Sequence, residues 1–321
     1  MSLRAPDSSA SAPAQVCCAE GMRVGYACVN TLLPSAARTM RLANVATGRL
    51  RELIAANLDA LEAILCWNLE HDIRVFRITS NLIPFGSHPA NTLDWSAEFG
   101  PRLRELGLLM TDATMSLSTH PGQYTVLSSA HPHVVAAAVA ELEYHDRLLT
   151  ALGLDRSHKI VLHVGSGAAD RDAVFERFAA AFARLSQSAA GRLVLENDER
   201  WPVADVLPLA RLLGVPVVFD VFHHGLAPSF GDHPVREIVR HVGETWGDGD
   251  GRQELHFSTQ EAGRRPGAHA ERLDLDAFDR FLSEVGDLPV DCILEVKDKE
   301  QSVLRAQELL RSHSHLAAAP A

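Results

Sequence analysis

The chain has 321 residues, of which 46% are hydrophobic and 22% are charged, an ordinary balance for a globular protein long enough to form one large barrel or two modest domains. No apolar run approaches the roughly 18 residues needed to span a bilayer, and the N-terminus lacks the apolar segment of a secretory signal. The net charge of −11 argues against non-specific nucleic-acid binding, but it does not exclude a nuclease whose carboxylates face metals and whose phosphate contacts are local.

Both ends of the chain have the composition of disordered tails. Residues 1–21 are rich in alanine, serine and proline, and the chain ends in "HSHLAAAPA", so we expect tails at 1–21 and 312–321 around a single folded domain at 22–311. The five cysteines are scattered and odd in number, which favours a reducing cytoplasm over a disulfide framework. Cys17 and Cys18, in or near the first tail, receive no role.

Eight short runs rich in apolar and β-branched residues predict strands. Several are apolar at consecutive positions, as expected for parallel strands that are buried on both faces. In chain order they are 23–29, 73–79, 114–119, 159–164, 192–197, 215–220, 254–258 and 291–296.

Segments of helical length follow the strands, at about 49–70, 95–107, 131–152, 171–187, 202–213, 234–245, 274–285 and 299–311. Asp170 is a predicted N-cap, and Gly214 is a predicted helix stop. Eight strands that are each followed by a helix predict an α/β fold of the (β/α)8 TIM-barrel type. An open doubly wound sheet is the alternative, disfavoured because no GxGxxG motif opens the first helix.

Potential metal ligands stand at or just after the ends of seven predicted strands, where the chemistry of a TIM barrel is located. Buried carboxylates in such a group are costly unless cations neutralise them. Mixed imidazole and carboxylate ligands suit Mn²⁺, Zn²⁺ or Fe²⁺, and nine ligands exceed the shell of one ion, so we expect two or three ions, an arrangement suited to attack at phosphorus. The nine residues are His88, His120, His163, Glu196, Asp220, His223, His256, His269 and Glu295.

Segments around these residues match a known family. The chain resembles the UV damage endonucleases from about residue 22 to 300, in an order and spacing typical of that family. The resemblance implies a DNA-repair enzyme that hydrolyses the phosphodiester immediately 5′ to cyclobutane pyrimidine dimers and 6-4 photoproducts in double-stranded DNA, leaving a 3′-hydroxyl and a 5′-phosphate. The segments are RVGYACVNTLLP, NLEHDIRVFRITSNLIPFGSH, STHPGQYTVLSS, LHVGSGAADRD, VLENDER, FDVFHH, HFSTQEAGRRPGAHAE and ILEVKDKE.

The resemblance also implies a metal centre. All nine strand-end residues fall on ligand positions of the family, whose members use up to three divalent ions, with Mn²⁺ the usual assignment. Glu196, Asp220 and Glu295 would bridge ions or orient the attacking water. Abasic-site endonucleases, which share the metal-dependent barrel, have carboxylates at some of the histidine positions, so the histidine-rich set favours the UV damage branch and manganese.

Residues that would contact DNA are carried over from the same pattern. Gln123 and Tyr124 would wedge into the duplex from the loop after strand 3, opposite the lesion. Tyr26 and Asn30 would line a pocket for the flipped dinucleotide. These roles are physically reasonable, because a dimer distorts stacking, so that its extrusion costs less, and because an aromatic ring with an amide can fill the gap.

One position departs from the family pattern. Relatives tend to carry a lysine, which can be carboxylated, two residues before the strand-7 histidine, where this chain has Glu254. We expect Glu254 to face the metal pocket as a catalytic group that partly replaces the lysine; the alternatives are a shifted register or an ion pair with an arginine. Arg264, Arg265 and Lys297 lie beside ligand residues and could hold DNA phosphates, or be solvated loop charges.

Several functions remain open at this point. An abasic-site endonuclease of the same barrel type is the main alternative, followed by a sugar isomerase or epimerase and by a non-catalytic protein that binds damaged DNA. No nucleotide cofactor and no membrane association are expected. We expect a cytoplasmic monomer, associated with the nucleoid if the protein is bacterial.

Overall fold

Eight parallel strands form a closed barrel in the computed structural model, which describes residues 21–165 and 170–317. Each strand pairs with its neighbours in chain order, and the last strand pairs with the first. This confirms the predicted TIM barrel. The strands are β1 (Arg23–Ala27), β2 (Val75–Ile78), β3 (Ser116–Thr119), β4 (Lys159–His163), β5 (Leu193–Glu196), β6 (Val217–Asp220), β7 (Gln253–Phe257) and β8 (Val290–Leu294).

Helices connect consecutive strands and cover the outside of the barrel. Within the described ranges, no helix combines the length and apolarity needed to cross a membrane. The helices are α1 (Thr47–Glu70), α2 (Trp95–Glu98), α3 (Gly100–Asp112), α4 (Pro132–Ala151), α5 (Arg171–Phe182), α6 (Gln187–Arg192), α7 (Val203–Leu213), α8 (Val221–Leu226), α9 (Val235–Gly243), α10 (Leu275–Val285) and α11 (Glu300–Ala317), with a short 3₁₀ helix at Leu42–Asn44.

Both predicted helix ends are confirmed. The Asp170 side chain accepts a hydrogen bond from the backbone N–H of Ala173 at 3.0 Å, which caps α5. Gly214 follows α7 with φ of 68°, the left-handed conformation that glycine adopts most easily.

Some helix boundaries differ from the prediction. The segment at 95–107 is broken at Phe99, because Pro101 has no N–H to donate to the Ala97 carbonyl oxygen and its ring would clash with that carbonyl in a continuous helix. The segment at 171–187 ends at Phe182, and Ser186 then caps α6. The last helix extends to Ala317, so the chain remains helical past the predicted start of the C-terminal tail at 312. Residues 1–20 of the predicted N-terminal tail lie outside the described residues.

Successive strand residues point alternately into the barrel and out towards the helices. The outward residues belong to one large apolar core shared with the helices, which includes Phe76 and Phe219. The inward apolar residues form two small separate clusters: Ala27, Val75 and Ile293, and Val161, Val194 and Val218. Because the inward positions at the carboxyl ends are polar, the barrel interior changes from apolar to charged along its axis.

Close approach of two strands requires glycine at position 25. Gly25 pairs with Val75, and a Cβ atom at Gly25 would lie 1.9 Å from the Val75 carbonyl oxygen. A side chain here would therefore push β1 away from β2 and open the barrel.

Substitution Gly25→Ala should reduce the free energy of unfolding by about 2 kcal/mol or more, the upper part of the range for overpacking. Thermal unfolding followed by circular dichroism measures this loss. Gly48→Ala is the matched control, because a Cβ there meets nothing within 4 Å. Equal stability of the two variants would contradict the close-approach argument.

Candidate metal centre

Six consecutive strands, β3 to β8, each present an imidazole or a carboxylate at their carboxyl ends. The side chains lie at inward positions of the alternating pattern, at the last strand residue, one residue before it or one residue after it. They are His120, His163, Glu196, Asp220, His256 and Glu295. The fold thus brings six of the nine predicted ligands to one end of the barrel.

Glu196 is at the centre of this group and is 1% exposed. Its Oε1 lies 2.6 Å from His256 Nδ1, and its Oε2 lies 3.0 Å from His120 Nε2 and 3.5 Å from His163 Nε2. Burial opposes ionisation of Glu196, but the neighbouring charges of His256 and His163 and hydrogen bonds from His120 and His256 hold the pKa of Glu196 well below its usual range. The carboxylate is therefore anionic at neutral pH.

Asp220 caps helix α8 immediately after β6. Its Oδ1 accepts a hydrogen bond from the His223 backbone N–H at 2.7 Å, and this turn brings the His223 side chain back to the rim. Its Oδ2 is buried without a hydrogen-bond partner among the described residues. Burial, opposed by His223 and assisted by the charges of Glu196 and Glu295, raises the pKa of Asp220 to about 7.

Two sets of three side chains have ligand atoms that all lie within 4.8 Å of one another. One set is His120, His163 and Glu196, and the other is Glu196, Asp220 and His256. Glu196 belongs to both, as a carboxylate bridging two ions would. A cation bound by the second set would interact with Asp220 Oδ2, which is buried without a hydrogen-bond partner in the described part of the chain. The mixed nitrogen and oxygen donors of both sets suit a transition-metal ion. The residues present therefore fit a metal centre.

His223 and His269 lie at the edge of the same cluster. Their ring centroids are 5.7 Å apart, and His269 Nδ1 lies 3.0 Å from the Glu295 backbone oxygen and 3.6 Å from its Oε2. An antiparallel bridge between Gln260 and His269 folds the loop after β7 into a hairpin and returns His269 to the rim. Burial opposes protonation of His223, but Asp220 and the other nearby carboxylates raise the pKa of His223.

His88 is the one predicted ligand that the structure does not bring into contact with the others. It is exposed on the loop between β2 and α2, and its Nδ1 accepts a hydrogen bond from the Ala90 backbone N–H at 3.0 Å. Its ring lies 6.0 Å from that of Phe85. The assignment of His88 as a ligand stays a prediction.

Arg77 is a buried residue of the site that the sequence analysis missed. Its Nη1 lies 2.5 Å from Glu295 Oε1, and its Nη2 lies 2.5 Å from His256 Nε2. Burial opposes the charge, but Glu295, Glu254 and Glu196 raise the pKa of Arg77 above its usual value. The available signal was a lone cation at an inward position of the otherwise apolar strand β2, "VFRI".

Glu254 faces the barrel interior, one inward position before His256 on β7; its predicted place in the metal pocket stays a prediction. Its Oε1 accepts a hydrogen bond from Ser118 Oγ at 3.1 Å and lies 2.9 Å from His256 Nε2. It also lies 3.7 Å from Arg77 Nη2, so the alternative of an ion pair with an arginine is present as well. Neither of the two candidate ligand sets includes Glu254.

The loop after β3 displays the two residues of the predicted wedge. A turn closed by the hydrogen bond from Thr125 N to Gly122 O, 2.9 Å long, has Gln123 and Tyr124 at its centre. Both side chains are exposed, and Tyr124 is 83% exposed. They are therefore free to contact a partner at the rim.

The predicted direct contacts of Tyr26 and Asn30 are not supported, because both residues are buried. Tyr26 occupies an outward position of β1, so its ring packs against Phe76 in the core between sheet and helices. Its hydroxyl donates to Asn68 Oδ1 at 2.7 Å and accepts from Asn30 Nδ2 at 3.0 Å. Period-two alternation, which puts the small Gly25 and Ala27 inside, could have revealed this.

The three predicted phosphate-binding cations differ in their surroundings. Arg264 and Arg265 are exposed in the hairpin loop that returns His269. Lys297 donates a hydrogen bond to Glu271, so it would have to exchange this partner to bind a phosphate. The two arginines remain the better candidates.

The fold and the site define a TIM-barrel protein with a candidate metal centre at the carboxyl ends of its strands. A model of the family described as UV-endonuclease UvdE matches residues 22–319. Among solved structures, the crystal structure of SacUVDE superimposes with a TM-score of 0.86 at 37% identity, covering 91% of this chain and 99% of that chain. The chain belongs to the UV-endonuclease UvdE family. Membership of an endonuclease family indicates a nuclease that acts on DNA.

Curated relatives agree with this family. A UV DNA damage endonuclease of Clostridium perfringens is 35% identical over 297 residues, covering 90% of this chain and 71% of that protein. A UV-damage endonuclease of Neurospora crassa is 32% identical over 90% of this chain, which spans 51% of that longer protein. Endonuclease IV from Thermus thermophilus, at 15% identity and a TM-score of 0.60 over 92% of this chain and 99% of that chain, shares the fold.

Substitution Arg77→Met should lower the free energy of unfolding by about 3–5 kcal/mol, because it leaves Glu295 and Glu254 buried without their cation. Added Mn²⁺ should then raise the thermal midpoint more in this variant than in the wild type, since ions would replace part of the lost charge. Differential scanning fluorimetry with Mn²⁺ and with EDTA measures both effects. Arg74→Met, at a partly exposed arginine paired with Asp72, is the control; an equal response of the two variants would contradict this role.

Proposed function

We propose that the protein is a metal-dependent endodeoxyribonuclease that hydrolyses the phosphodiester immediately 5′ to cyclobutane pyrimidine dimers and 6-4 photoproducts in duplex DNA, leaving a 3′-hydroxyl and a 5′-phosphate. The observation that carries the proposal is Glu196, shared by two candidate ligand sets at the strand ends of a UV-endonuclease family member. The names of the relatives, which refer to UV damage, support the lesion class.

We infer two to three divalent ions, with Mn²⁺ the first choice and Zn²⁺ or Fe²⁺ as alternatives. His120, His163 and Glu196 would hold one ion, and Glu196, Asp220 and His256 would hold a second. The adjacent pair His223 and His269 would complete a third position. The two sets together contain five residues, of which three are histidines, and this nitrogen content favours a transition metal over Mg²⁺.

The bound ions would supply positive charge at the scissile phosphate and acidify the attacking water. The chain's own contribution is positional. Glu196 keeps the imidazole nitrogens of His120 and His256 within 3.0 Å of its two oxygens, so the ligand atoms of each set already face one another. Arg77 holds the Glu295 carboxylate. Charge fixed in advance in this way needs no reorganisation during the reaction.

Recognition of the lesion is assigned to the rim above the metal centre. Gln123 and Tyr124 would enter the duplex from their turn, while Arg264 and Arg265 would contact phosphates on the side of β7. Because the chain as a whole is acidic, binding would depend on this local set of cations and would weaken as salt rises.

Incision of a duplex with one defined thymine dimer tests the proposed function. We expect cleavage 5′ to the dimer with Mn²⁺, loss of cleavage with EDTA, and a product end that a DNA polymerase extends. Cleavage of an abasic-site duplex but not of the dimer duplex would favour the abasic-site endonuclease instead. Failure to cleave both would contradict the proposal.

Substitution Glu254→Gln should slow incision at fixed Mn²⁺ by about tenfold or more, because it removes the charge that faces Arg77 and His256. Single-turnover incision of the dimer duplex measures the change. Glu52→Gln, at an exposed carboxylate on α1, is a control that leaves the barrel interior unaltered. An unchanged rate in Glu254→Gln would refute a role for this carboxylate in catalysis.

The double substitution Gln123→Ala and Tyr124→Ala should weaken binding to dimer DNA by about tenfold to a hundredfold, because base–aromatic contacts contribute about 1–3 kcal/mol. Binding is measured by fluorescence anisotropy. Stabilisation by Mn²⁺ in a thermal-shift experiment should be retained, since neither residue contacts the metal centre. If dimer binding survived the double substitution, the wedge assignment would be wrong.

A further inference from the structure

The loop between β1 and α1, residues 28–46, exposes a leucine at the same end of the barrel as the metal centre. Leu32 is 64% exposed and lies five residues after the end of β1 at Ala27. Single exposed leucines are common on protein surfaces and need no explanation by themselves. Leu32 differs in that hydrogen bonds from buried side chains hold its backbone.

A buried carboxylate holds the backbone next to Leu32. Glu300, fully buried at the start of α11, accepts hydrogen bonds from the Thr31 backbone N–H at 2.8 Å and from the Thr31 hydroxyl. Gln301 donates to the same hydroxyl at 3.0 Å. A carboxylate at a helix N-terminus is favoured by the helix dipole, so this contact is a stable anchor.

The side chain of Asn30 holds the backbone of Leu32 itself. The Leu32 backbone N–H donates to Asn30 Oδ1 at 2.9 Å, and Asn30 Nδ2 donates to the buried Tyr26 hydroxyl. The Tyr26 hydroxyl in turn donates to Asn68 Oδ1 on α1. The three buried polar residues Tyr26, Asn30 and Asn68 thus form a chain of hydrogen bonds that ends at the leucine.

A second amide fixes the rest of the loop. Asn57 on α1 is fully buried; its Oδ1 accepts from the Arg38 backbone N–H, and its Nδ2 donates to the carbonyl oxygens of Arg38 and Leu82, each at 3.0 Å. Asn57 therefore ties this loop to the loop after β2. Leu32 is an apolar side chain on a backbone that is held just before it, at Thr31, and again after it, at Arg38.

We propose that Leu32 is a second DNA-inserting residue, which enters the base stack beside the lesion while Gln123 and Tyr124 act from the loop after β3. The proposal rests on the proposed function. An apolar side chain can wedge between bases and partly unstack them, and a wedge held in position before binding loses little conformational entropy when it enters. The damaged duplex is the suitable partner, because its stacking is already weakened.

The burial of Tyr26 and Asn30 is consistent with the assignment of Leu32 as the inserting residue. The first loop still contributes to lesion recognition, but the residue that reaches the DNA is Leu32, and the two buried residues position it. The carboxylate of Glu300 and the amide of Asn57 have the same positioning role at the two sides of the loop.

Stopped-flow fluorescence of 2-aminopurine placed beside a defined thymine dimer tests the inference, with the full chain loaded with Mn²⁺. The emission rise reports unstacking before incision. Leu32→Ala should reduce the amplitude or rate of this rise about tenfold, as expected for the loss of a buried leucine contact. Leu32→Met, which keeps an apolar chain of similar size, should restore most of it. Leu108→Ala, at a leucine on α3 that is 61% exposed, should behave as wild type.

The outcomes separate the two proposals. If the wild type neither unstacks nor incises the dimer duplex, the proposed function fails. If the wild type does both and Leu32→Ala matches Leu108→Ala, the proposed function stands and the role of Leu32 is refuted. A loss in Leu32→Ala that Leu32→Met reverses supports insertion.

Discussion

The burial of several carboxylates inside one end of the barrel is the constraint on which the rest of the structure depends. Glu196, Asp220 and Glu254 are buried there, and Glu295 stands beside them. Arg77 is the guanidinium that contacts this group, and one cation cannot balance four carboxylates. Uncompensated charge in a dry interior is costly, so the remainder must be met by protonated imidazoles, by protonation of a carboxyl group such as Asp220, whose pKa is raised to about 7, or by bound cations. Asp220 Oδ2, which has no hydrogen-bond partner among the described residues, and the histidines around Glu196 are groups that could hold such cations.

The barrel makes this concentration of charge possible because strand residues alternate with a period of two. Outward residues build the apolar core with the helices, and this core is large enough to hold the strands in place despite the polar interior. The inward residues are apolar lower in the barrel and charged at its carboxyl end. The segments after β6 and β7 add two histidines to the rim. Asp220 caps α8, which places His223 there, and the hairpin after β7 places His269 there. The loops after β1 and β3 present Leu32 and Tyr124 to solvent.

Much of the fold and of the candidate site could be predicted from the sequence, because strand periodicity and ligand residues at strand ends are local signals. All eight strands and the closed barrel are confirmed, and eight of the nine proposed ligands lie together. Arg77 escaped prediction because its partner Glu295 is 218 positions away, a contact that no local pattern encodes. The burial of Tyr26 follows from the alternation on β1, but the family similarity favoured a place in the DNA-binding pocket for this residue. The break at Phe99 and the short helix α8 depend on individual caps and a proline, which set helix boundaries that periodicity alone does not locate.

Under the proposed function the molecule has two parts with different roles: the charged barrel interior would hold ions, and the rim of loops would contact DNA. The central claim is that Glu196 bridges two ions at the carboxyl ends of the strands. The most direct measurement is an anomalous-scattering map of crystals grown with Mn²⁺, collected on both sides of the manganese absorption edge. The account predicts two peaks, one near each Glu196 oxygen, at about 2.2 Å, a typical ligand distance for such ions. Absence of ordered peaks beside Glu196, or peaks confined to other parts of the protein, would contradict it.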